Sequence, residues 1–132
     1  MTRIIRSLAA LPPALFLACG LMLATLVPAA AQADRFGAIA YAPASGITGW
    51  GNDYSNRSGA EDRAMRECRS RGGQDCRIAV WFRNGCGALA RGSNGWGSGW
   101  GTTEWRAATE ALQVCSQHTL NCTVHHQICT GR

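Results

Sequence analysis

The sequence has no lysine; all 13 of its permanently basic side chains are arginines, set against eight acids. An arginine-only composition reads as a bias of the source genome more than as a selected anion-binding site. Five arginines do fall between Arg57 and Arg71, but Glu61, Asp62 and Glu67 are interleaved with them. That alternation describes a solvated helix face rather than a nucleic-acid stripe, and no nucleic-acid partner is expected. Cys-x-x-Cys is also missing, which removes the zinc-ribbon and thioredoxin-like readings; no metal and no cofactor are expected. No Gly-x-Ser-x-Gly surrounds Ser93, Ser98 or Ser116, so a nucleophile elbow is not supported either. Glu104 and Glu110 lie six apart on the second expected helix, on different faces, and do not make a glycosidase pair.

Histidine is scarce and late: His118, His125 and His126 only. A basic secreted domain with paired histidines could be a small nuclease. His125 and His126 are adjacent on an expected strand, however, and alternation would turn them to opposite faces. No catalytic residue is assigned.

The first 33 residues have the order of a secretory signal peptide: Arg3 and Arg6, an apolar run over residues 8–27, then Ala29-Ala-Ala-Gln-Ala33. Cleavage after Ala31 or Ala33 fits, and the second leaves a polar start at Asp34. A periplasmic or extracellular location is expected, with no membrane span after cleavage. From Asp34 onward 99 of the 132 residues remain, a length for one small domain with a marginal core. Eleven arginines then face eight acids, a net charge of +3. Six of the seven cysteines stay: Cys68, Cys76, Cys86, Cys115, Cys122 and Cys129. An even count in an exported small domain implies structural disulfides.

The chain is written twice, over about 36–83 and 86–130. Phe36-Gly-Ala-Ile-Ala40 matches Cys86-Gly-Ala-Leu-Ala90, and Gly49-Trp-Gly51 matches Gly99-Trp-Gly101. Ala64-Met65, Cys68 and Cys76 then match Ala111-Leu112, Cys115 and Cys122. Each copy reads as a β-β-α-β unit, with turns at residues 43–46 and 92–95. The expected class is α+β: a pseudo-duplicated unit with two helices packed on an antiparallel or mixed sheet. Ser58-Gly-Ala-Glu61 has the form of a capping box, and the second helix begins near Thr102 or Thr103. Ile78-Ala-Val-Trp-Phe82 is the most buried-looking strand. Equivalent positions suggest Cys68–Cys76 and Cys115–Cys122 bridges, which leaves Cys86–Cys129 to tie the first strand of the second copy to its last.

Several of these segments resemble a known family. Phe36-Gly-Ala-Ile-Ala-Tyr41, Val80-Trp-Phe-Arg-Asn-Gly-Cys-Gly-Ala-Leu-Ala90, Gly97-Ser-Gly-Trp-Gly101 and Ile128-Cys-Thr130 are similar to the small exported bacterial proteins grouped as domain of unknown function 4189. The resemblance spans essentially the whole chain after the signal and implies secretion and cysteine bridging. It implies no reaction and no site residue.

What remains is a surface reading. The expected function is a binding module, inhibitor-like or effector-like, that contacts a protein or an envelope glycan; a small hydrolase acting on nucleic acid or cell wall is the alternative. In residues 95–101, GWGSGWG, Trp96, Ser98 and Trp100 share one strand face and the glycines share the other. Trp100 has a twin in Trp50 and is expected in the core; Trp96 has glycine as its counterpart and needs another reason. The candidate binding residues are Trp96, Ser98, Arg91 and Trp105.

Overall fold

The computed structural model describes residues 31–131 together with Leu26 and Pro28. The segment read as a signal peptide otherwise lies outside the described residues. In chain order the elements are β1 (Phe36–Ala42), β2 (Ile47–Tyr54), α1 (Arg57–Ser70), β3 (Arg77–Arg83), β4 (Cys86–Arg91), β5 (Trp96–Gly101), α2 (Glu104–Ser116) and β6 (Thr123–Cys129). The β-β-α-β unit is thus present in both copies. Each copy builds its own three-stranded antiparallel sheet, ordered β2-β1-β3 and β5-β4-β6.

Side-chain alternation on the central strands explains the layers. On β1, Ala38, Ala40 and Ala42 pack with Ala60, Ala64 and Cys68 of α1. Ile39 and Tyr41 point the other way, into a cluster with Phe82 and Leu89. On β4, Ala88 and Ala90 meet Ala107, Ala111 and Cys115 of α2, while Leu89 joins the inter-sheet cluster. The order is therefore α1, first sheet, second sheet, α2. A strand covered on both faces carries no charged side chain, and β1 is buried at six of its seven positions.

Small residues let the helices come close. A Cβ at Gly99 would lie 2.5 Å from the Ala111 backbone nitrogen and 2.7 Å from the Ala107 carbonyl oxygen. At Gly97 it would run into the backbone of Cys115. The glycine face of β5 is thus the seat of α2, as the alternation of residues 95–101 implied.

Two expectations shift. The strand Ile78–Phe82 is an edge, not a centre: only Phe82 of β3 is buried, because one side of β3 pairs with β1 and the other pairs with nothing in its sheet. The cap of α1 is Asn56, whose side chain accepts the Gly59 N–H at 2.8 Å, so Ser58 sits inside the first turn rather than at its start. Asn56 wins because it is the residue in extended backbone, with φ −152°. The second helix is capped as expected, Thr103 accepting from the Arg106 N–H.

All three disulfides follow the symmetric pairing: Cys68–Cys76, Cys115–Cys122 and Cys86–Cys129. Cys86 and Cys129 face each other across β4 and β6, and Phe36 faces Arg83 at the equivalent place in the first sheet.

Candidate functional site

The two sheets meet through side chains the repeat does not share. Trp96 is half-buried with its ring 5.4 Å edge-on to Tyr41; the outer part of Trp96 borders a shallow cleft with Pro43, Val114 and His118. Ser98 donates its hydroxyl to the Ala79 carbonyl at 2.6 Å. Arg91 lies beside the Tyr41 phenol, whose pKa is raised by burial, with the Arg91 charge acting in the opposite sense. Trp96, Ser98 and Arg91 are thus engaged where one sheet meets the other. Trp105, the fourth candidate, is 74% exposed.

The two tryptophans paired by the repeat have different settings. Trp50 is half-buried, with the His126 ring 4.5 Å away and stacked, and the Arg71 guanidinium 4.4 Å from its ring centre. Trp100 is 54% exposed, which corrects its expected place in the core. The register explains why. Trp50 lies opposite Ile39 on β1 and reaches the His126 ring, whereas in the second sheet Ser98 takes the place opposite Leu89 and Trp100 falls opposite Gly87, two positions towards the end of β5.

Backbone polarity is handled alike in both copies. The Trp50 N–H on the outer edge of β2 donates to Glu67, and the Trp100 N–H on β5 donates to Glu110 at 3.0 Å. Glu67 is buried and also accepts from Arg63 at 2.8 Å and Arg71 at 2.7 Å. A carboxylate from each helix therefore blunts a sheet edge that could otherwise pair with another chain.

The histidines separate. His118 is exposed in the loop after α2. Strand alternation would have turned His125 and His126 apart, but the register slips between Leu89 and Ala90, leaving His125 outside the direct pairing. Both rings consequently face the first copy: His125 is hydrogen-bonded to the Gly46 carbonyl at 3.1 Å and lies near Tyr41, and His126 is stacked on Trp50. The buried Nε2 of His126 has no hydrogen-bond partner among the described residues. Its pKa is lowered by burial first and by the neighbouring His125 next, with Glu67 opposing and Arg71 adding to the depression.

The surface that stays open is aromatic and centred on Trp100. On one side a cleft of 570 Å³ runs along the free edge of β3, bordered by Val80, Trp81, Arg83 and Trp100. On the other a cleft of 430 Å³ lies between Trp100 and Trp105, floored by Arg106, Thr109, Glu110 and Gln113 of α2. Trp81 is 39% exposed, with Phe36 stacked beside it and the Arg57 guanidinium 4.4 Å from its ring centre. Trp81 and Trp100 were not among the sequence candidates. Alternation held a signal for Trp81, since an inward Phe82 on an edge strand forces its neighbour outward.

No helix among the described residues is long and apolar enough to cross a membrane. No curated protein matches the chain. Among solved structures, the NMR structure of Rv1813c from Mycobacterium tuberculosis is similar at a TM-score of 0.54 and 23% identity, covering 97% of this chain and 99% of that one. That similarity is one of fold. The pattern of the family described as Domain of unknown function (DUF4189) matches residues 36–129, and the chain belongs to that family.

Proposed function

We propose that the protein is an exported binding module that engages its partner, a protein or an envelope glycan, through the tryptophan and arginine surface centred on Trp100. The carrying observation is the continuity of that surface: Trp100 borders both clefts, so Trp81 and Trp105 flank it on either side. Exposed tryptophan is costly to leave in water, and tryptophan with arginine is the composition of interface hot spots. Three disulfides fit an exported chain, in the periplasm or outside the cell.

A hydrolase needs acid and base groups that converge on one point. Here His118, His125 and His126 occupy three different settings, two of them against the first copy. The open clefts offer Glu110 with the permanent cations Arg106 and Arg83 instead. This favours binding over chemistry.

The test is capture from periplasmic extract and culture medium on immobilised wild-type protein and on Trp100→Ala. A stoichiometric partner held by the wild type and released by the variant supports the reading. A partner held equally by both sinks the surface assignment.

A further inference from the structure

We infer that the cleft between Trp100 and Trp105 is a subsite for a β-linked pyranose chain, an inference that rests on the binding-module reading and names its ligand. The first argument is the pair of rings. Trp100 and Trp105 are 54% and 74% exposed and border the same 430 Å³ cleft. β-linked pyranoses with equatorial hydroxyls present flat C–H faces, and an indole face is a large, rigid apolar partner for such a surface.

The second argument is the floor. Trp105, Thr109 and Gln113 recur at four-residue spacing, so they line one face of α2 over about 12 Å of helix. Arg106 and Glu110 form the neighbouring row at the same spacing. Together these side chains offer a hydroxyl, an amide, a guanidinium and a carboxylate, alternating donors and acceptors as vicinal sugar hydroxyls require. Glu110 is oriented by the Trp100 N–H, which takes Oε2 at 3.0 Å; Oε1 accepts no hydrogen bond from the described residues.

The third argument is charge. One cation and one carboxylate border the cleft, a balance that suits a hydroxyl-rich ligand and repels a polyanion at Glu110. Finally, the platform is rigid. The end of α2 is tied by Cys115–Cys122, and its inner face is seated on the glycines of β5. A rigid site loses little entropy when a ligand settles on it.

The experiment is co-sedimentation of the chain after signal removal with three insoluble probes: peptidoglycan sacculi, chitin and cellulose. Retention on at least one probe is expected, with the Kd rising about tenfold in Trp105→Ala and largely restored in Trp105→Phe. Gln113→Ala, at an exposed position, is a second variant expected to weaken retention. Near-ultraviolet circular dichroism confirms that each variant is folded. Retention on none of the three probes overturns the inference, as does equal retention by wild type and Trp105→Ala. A protein partner lost in Trp100→Ala, without glycan retention, would leave the binding-module reading standing and remove this one alone.

Discussion

At the scale of single residues, the tryptophans divide by what the opposite sheet offers them. Trp96 finds Tyr41 and is held between the sheets; Trp105 finds solvent. Trp96→Ala is therefore expected to cost about 3 kcal/mol, and Trp105→Ala to stay within about 0.5 kcal/mol, in urea melts. His126 gives the molecule a pH dependence. Its folded-state pKa lies below its ordinary value of 6.5, so the unfolded chain binds more protons in the window between the two. The stability is complete above the ordinary value and is lost as pH falls through that window. The melting temperature of the wild type should fall as the pH is lowered below the ordinary value of 6.5, and the fall should be smaller in His126→Gln. An equal fall in both would assign the effect to another group. Neither setting was legible locally: Trp96 and Trp100 lie four apart on one strand face, and only the opposing sheet separates their fates.

Elements obey local chemistry more closely. The strands, turns and helices of both copies could be read from residue pattern, because alternation, glycine-rich turns and small-residue helix faces act over a few residues. The cap of α1 was misplaced by two residues since Ser58 and Glu61 have the right spacing for a box, yet Asn56 holds the extended backbone. Asn56→Ala should cost about 1 kcal/mol and Ser58→Ala less than about 0.5 kcal/mol, measured by chemical denaturation. A comparable loss at both positions would restore the capping box. The seat of α2 on β5 is the second element-level test. Gly99→Ala places a methyl group against helix backbone, which cannot rotate away as a side chain can. Overpacking of this kind should cost about 1–3 kcal/mol, more than Gly131→Ala, where no atom lies within 4 Å but the positive φ of 78° adds strain.

In the whole molecule, two units of the same plan are fused face to face. Phe82 occupies the join: a Cβ at either Gly37 or Gly87 would collide with its ring. Two glycines, one from each copy, thus make room for one aromatic side chain. The disulfides divide differently, since every bridge closes within one copy and none crosses. Non-reducing peptide mapping should recover those three pairs and no cross-copy pair. Replacing Cys86 and Cys129 together by serine should lower stability by about 2–4 kcal/mol. Mapping that shows any exchange among Cys68, Cys76, Cys115 and Cys122 would remove the symmetric scheme.

The duplicated pattern determined the element order, the disulfide pairing and the close approach of helix to sheet. All three depend on residue types repeated at matching positions, and a repeat makes equivalent residues visible without coordinates. Which strands are central, which tryptophans are covered and where both histidines point were decided only by the tertiary structure. The physical reason is that the second face of each sheet is buried by the other copy. Its partners, Tyr41 with Trp96, Trp50 with His126 and Ser98 with Ala79, are distant in sequence, the nearest pair 19 residues apart, and do not obey the repeat. The open surface around Trp100 is the remainder left after those pairings are made.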